Sequence, residues 1–265
     1  MELLGFKKLL KPSVKLEKYV KKIEEEVGRL AKIENVQSVG ISGIFAGFIL
    51  DPVYILVEIV EEDFYKPKEE FNQQEEIECM IAHEVTHGLL AYKRNYCQHN
   101  LILDDTELGG KSANVLFTMI EDIVVNKIID GNNFFQPLIK VYIDRVIERE
   151  IKPLREGKDC YKVNKHSLIF RNRFMVWRYI QAWGFLKYFD FDNDNKKVIH
   201  EYLERFQKKY PQQYEQAIKT KEIILENDIF TEEGFYKAIK KCLDLDFWNI
   251  QDIKIITTLQ ALQTL

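Results

Sequence analysis

The chain has 265 residues with 38 Lys and Arg against 42 Asp and Glu, a formal net charge of −4 that gives no general reason to expect a nucleic-acid partner. Its residues are 46% apolar and 30% charged, with little glycine or proline. That profile excludes a disordered or collagen-like chain and describes a helix-rich globular protein with ample length to bury a core. The cysteines, Cys79, Cys97, Cys160 and Cys242, are scattered and form no C-x-x-C pair, which fits a reducing compartment and not a disulfide framework.

Met1 to Lys11 carries lysines and leucines but no apolar signal core and no small-residue cleavage site, so no signal peptide is expected and the default is cytoplasmic. Pro12-Ser13 then opens a predicted helix in which Leu16, Val20, Ile23, Val27 and Leu30 recur at three- and four-residue spacing. Lysines and glutamates on its other face read as a solvated surface, not a membrane anchor. From Val36 to Val60 the composition turns β-branched, aromatic and glycine-bearing, with Asp51-Pro52 as a turn. The apolar run before that turn is too short to cross a bilayer. The segment predicts two or three strands of a small antiparallel or mixed sheet packed on the helix that follows.

That next helix, expected from about Asn72 to Asn95, holds His83-Glu84-Val85-Thr86-His87, an H-E-x-x-H pattern. Residues four apart on a helix stack on one face, so His83 and His87 can direct two imidazoles at one metal ion. Glu84, one residue round the helix from the first histidine, is placed to act as general base on a water without being a ligand. Cys79 lies one turn before His83 on the same ribbon, and reads as a small buried apolar residue in preference to a ligand. His99 falls in a predicted loop from Cys97 to Gly110, which reads as surface.

A catalytic zinc site needs a third protein ligand. No third histidine follows at short spacing. The next candidate is a predicted helix with Ser112 as N-cap and Gly131 just past its C-terminus, whose apolar interior contains Glu121 and Asp122. A carboxylate among Met119, Ile120, Ile123 and Val124 is costly to bury unless it is paired or bound to metal. In these residues the chain resembles the gluzincins, the thermolysin-like zinc metallopeptidases, in which a glutamate on a later helix completes H-E-x-x-H. The resemblance implies metal ligands His83, His87 and Glu121, general base Glu84, a Zn2+ cofactor and a peptide or protein substrate. Asp122 is the alternative ligand, because Asn126 follows it at the four-residue spacing where many gluzincins carry Asp or Asn, whereas Val125 follows Glu121.

Beyond Gly131 the chain reads as helices over 137–150, 167–189, 197–210, 211–226 and 231–243. The aromatic stretch from Leu168 to Trp183, interleaved with Arg171, Arg173 and Arg178, reads as core packing in preference to base stacking. Asp190 to Glu201 spaces its acids like a calcium loop. Asn195 stands where the turn wants glycine and Lys197 where an apolar residue is usual, so a helix-capping acidic link is the better reading. Tyr161, His166 and His200 are candidates for stabilising an oxyanion, with none preferred. The expected fold class is α+β, mostly helical: a zincin-like lobe over 1–131 with the sheet, the H-E-x-x-H helix and the third-ligand helix, then a helical lobe over 132–265. The expected function is zinc-dependent peptide hydrolysis, with no nucleic-acid or membrane partner. The alternative is a noncatalytic zinc- or peptide-binding protein, against which the general base beside the ligands counts.

Overall fold

The computed structural model describes residues 2–4, 12–31, 37–42, 54–59, 73–93, 107–161 and 168–248. The expected α+β class is corrected there: the described residues make a helical protein, and no antiparallel or mixed sheet forms among them. What extended structure they contain is short and runs parallel, as β1 (Glu2–Leu4), β2 (Gln37–Ser42) and β3 (Tyr54–Ile59) in that order. The physical reason lies in the connection. Helix α1 (Val14–Ala31) separates β1 from β2, and a helical crossover returns the chain to the same end of its neighbour, which dictates parallel pairing. The expected turn at Asp51-Pro52 falls outside the described residues.

The remaining helices are α2 (Gln73–Lys93), α3 (Glu107–Asp130), α4 (Phe135–Val146), α5 (Lys152–Arg155), α6 (Leu168–Tyr188), α7 (Asn193–Lys209), α8 (Pro211–Glu226) and α9 (Glu232–Leu243). A π-helical turn, Ile147–Ile151, joins α4 to α5 without a break in the helical backbone. Among the described residues no helix is long and apolar enough to cross a membrane. The chain divides into two compact units; α1 and α2 belong to one, and α6 to α9 to the other.

In the first unit, α1 buries Leu16, Val20, Ile23 and Val27 of the stripe its spacing predicts, with Tyr19 beside them, while Leu30, the last of that stripe, is exposed. Burying each such aliphatic side chain contributes about 1.5–3 kcal/mol. Helices α1 and α2 pack together. Ser13 caps α1 by accepting from the Leu16 amide at 3.2 Å, and it also donates to the Glu78 carboxylate from its amide at 2.7 Å and its hydroxyl at 2.6 Å. Tyr19 and Thr86 are joined by a 2.6 Å hydrogen bond. Lys15 lies 3.9 Å from the centre of the Phe134 ring and donates to the Asn133 carbonyl at 2.6 Å.

Helix α3 begins at Glu107, so Ser112 is interior and not the N-cap. At its other end the left-handed residue is Asn133, with φ of 61°, and not Gly131; the Phe134 amide closes the turn on the Ile129 carbonyl at 2.9 Å. The helix is buried from Leu116 to Asn126 save Thr118, which explains its continuous apolar composition.

In the second unit the aromatic stretch is core. Phe174 and Trp177 meet as tilted rings with centroids 5.0 Å apart, and Tyr179 and Phe206 likewise at 5.1 Å. All three interleaved arginines are engaged inside the unit: Arg171 with Asp159, Arg173 with the Phe247 carbonyl, Arg178 with Glu150. Gly184 lets the Ile123 side chain approach, since a Cβ there would lie 3.1 Å from it. The 190–201 segment forms no twelve-residue ion loop, because α7 starts at Asn193 with Asp192 as its N-cap, accepting from the Asn195 amide at 2.8 Å. Asp190, Asp194 and Glu201 are paired with Lys196, Lys197 and two arginines. Trp248 is fully buried and donates to the Thr220 hydroxyl at 2.9 Å.

Candidate metal centre

Helix α2 presents His83 and His87 as the four-residue spacing requires. Their Nε2 atoms lie 3.0 Å apart, the rings meeting edge to face at 4.7 Å between centroids. Two nitrogens each about 2.0–2.1 Å from a tetrahedral zinc would stand roughly 3.3 Å apart, so the pair is within a few tenths of an ångström of a chelating geometry. Ala82 and Val85 on the flanking positions are fully buried and Ile81 nearly so, which roots this turn of the helix while both histidines and Glu84 remain half-buried. A general base needs that combination of a fixed backbone and an accessible carboxylate.

His83, His87 and Asp122 each offer one ligand atom, and the three atoms all lie within 4.8 Å of one another. Glu121 is not one of the three, although it is equally buried, at 1% exposure against 4% for Asp122. Adjacent helical residues point about 100° apart, so Glu121 and Asp122 face different directions on α3. Asn126, one turn beyond Asp122, is buried too. The donor set of two imidazoles and a carboxylate fits zinc, and it also fits other first-row divalent ions.

The other residues singled out in the sequence fall elsewhere. Cys79 is buried and outside this group, and burial pushes its thiol up to about 12, where it stays protonated and a poor ligand. Tyr161 is packed in the second unit with its hydroxyl 2.6 Å from that of Tyr202. Burial, ahead of the charges around it, raises its phenol well above the ordinary range. His200 is exposed on α7. His99 and His166 lie outside the described residues.

Sequence reasoning overlooked the bracing of the metal helix by α1, through Ser13 with Glu78 and Tyr19 with Thr86. These are long-range contacts for which no local pattern signals. No family model matches this sequence, and comparisons with curated proteins and with solved structures likewise found no match.

Proposed function

We propose that this chain is a zinc-dependent hydrolase, a metallopeptidase acting on peptide or protein substrates in the cytoplasm. The observation that carries the reading is the 3.0 Å Nε2 pair of His83 and His87 with Asp122 alongside and Glu84 next to the first histidine. His83 and His87 would hold the ion through their imidazole nitrogens, with Asp122 as the anionic third ligand in place of the expected Glu121. When bound, the metal supplies Lewis acidity, lowering the pKa of water and polarising a carbonyl. Glu84 accepts the proton of the attacking water and passes it to the leaving amine nitrogen. A purely structural zinc site would have no use for such a base. The resemblance to gluzincins rests on the H-E-x-x-H residues and not on a shared sheet. The free thiols of Cys79, Cys160 and Cys242 support a reducing compartment.

The experiment is metal analysis of the purified protein combined with a peptide-library cleavage screen, for the wild type and for Glu84→Gln. The wild type should carry about one zinc per chain and cleave; the variant should retain the metal and lose activity by about 10²–10⁴-fold. A wild type without bound metal, or a variant as active as the wild type, refutes the reading.

A further inference from the structure

The geometry points to Tyr19 as a positioning residue of the metal centre, acting through Thr86 on the turn of α2 that carries His83 and His87. This inference rests on the metal-binding reading above. Thr86 lies between the two histidines in sequence and is fully buried; its hydroxyl contacts both the Ala82 carbonyl at 2.6 Å and the Tyr19 hydroxyl at 2.6 Å. A threonine hydroxyl has one proton. The Ala82 carbonyl can only accept, so the Thr86 proton goes there, and Tyr19 must be the donor to Thr86. The result is a one-way chain from Tyr19 through Thr86 to Ala82, which leaves no rotational choice at either hydroxyl.

The chain closes over the residues that matter. Ala82 immediately precedes His83 and Thr86 immediately precedes His87, so both backbone attachments of the chelating pair are tied by it. A threonine bonded back to the carbonyl four residues earlier bends a helix locally, and the Tyr19 hydrogen bond holds that bend in one state. Tyr19 is itself immobilised: it is 6% exposed, and its ring packs against Phe134 at 5.2 Å. Burial, ahead of the Thr86 hydrogen bond that opposes it, raises its phenol, so the donor proton is retained at neutral pH. The second clamp between the same helices, Ser13 on Glu78, sits nearer the start of α2, five residues before His83, so the two hold the helix at separate points.

Outer-shell partners that orient metal ligands change metal affinity by about 10–100-fold when removed. The test measures zinc affinity by chelator competition, and the visible spectrum of the cobalt-substituted protein, for wild type, Tyr19→Phe, Thr86→Val and the double variant. Thermal unfolding of each metal-free form is recorded alongside. Both single variants should bind zinc about 10-fold more weakly with an altered cobalt spectrum, and the double variant should be no weaker than the worse single. Wild-type affinity and an unchanged cobalt spectrum in folded Tyr19→Phe overturn the inference while the metal site stands, even if its melting temperature falls. If wild type itself binds neither zinc nor cobalt, the metal-binding reading has failed and this inference with it. Should Tyr19→Phe not fold, Thr86→Val with wild-type zinc affinity overturns it equally.

Discussion

Replacing Arg178 by methionine tests how dry the core of the second unit is. Arg178 on α6 donates from Nε to Glu150 at 2.7 Å, with side chains only 13% and 6% exposed, and from Nη1 to Gln181 at 2.8 Å. Its guanidinium carbon lies 5.0 Å from the centre of the Tyr142 ring. Burial is the largest single influence and works to lower the guanidinium, but the Glu150 carboxylate together with Tyr142, Tyr161 and Tyr202 outweighs it and leaves Arg178 raised and charged. Arg178→Met keeps much of the aliphatic stem while stripping the charge. It leaves a buried carboxylate whose second oxygen, Oε2, already has no hydrogen-bond partner. Removing one member of a buried pair costs about 3–5 kcal/mol, against about 0–1 kcal/mol for a surface pair. With an unfolding entropy of about 2.1 cal/mol/K per residue over 265 residues, that cost lowers the melting temperature by roughly 5–9 °C. Circular dichroism or calorimetry at neutral pH reads it directly. The double variant Glu150→Met/Arg178→Met should recover part of the loss, since no charge is left behind. A loss below about 1 kcal/mol in Arg178→Met, or a double variant equal to the sum of the singles, means that water screens the pair and the reasoning is wrong.

The choice of acidic ligand is tested by metal content: Asp122→Asn should lose most of the zinc and Glu121→Gln should keep it, and the reverse pattern would restore Glu121 as the ligand. Glu201 predicts acid sensitivity. Its carboxylate accepts from Arg155 at 2.8 and 2.6 Å and from Arg205 at 2.6 Å. The Arg155 hydrogen bond is the largest cause holding it down to about 2 from the ordinary 4.5. Because the folded value is depressed, its contribution is complete above the unfolded value and disappears as pH falls from about 4.5 toward 2. The melting-temperature gap between wild type and Glu201→Gln should therefore close over that window; a gap that stays constant would show that the arginines do not favour the ionised form.

Local signals were legible wherever the chain's own neighbours decide the outcome. The α1 stripe, the Pro211 start of α8 and the Thr231 cap of α9 all follow from spacing and capping chemistry. Rejecting the calcium loop at Asp190 to Glu201 rested on Asn195 and Lys197. Asn195 proves to be the residue that Asp192 caps. The failures share a cause in long-range geometry. Whether β2 and β3 pair parallel or antiparallel depends on where the intervening chain travels, which β-propensity does not encode. Ser112 has the chemistry of a cap, yet α3 runs on past it to Glu107. Between Glu121 and Asp122, reach and family habit favour the first, whereas the group that could hold a metal ion contains the second.

The π-helical turn at Ile147–Ile151 sets a phase that the rest of the rod depends on. Such a turn holds one residue more than an α-helical turn would, so everything after it is rotated by about 100° relative to an uninterrupted α-helix. Leu154, buried at 8% exposure, and the Arg155 that reaches Glu201 owe their direction to that surplus residue. Winding the turn as plain α-helix with all its residues retained would swing Leu154 out of the core and aim Arg155 away from its carboxylate, whereas deleting the surplus residue would leave both facing as they do.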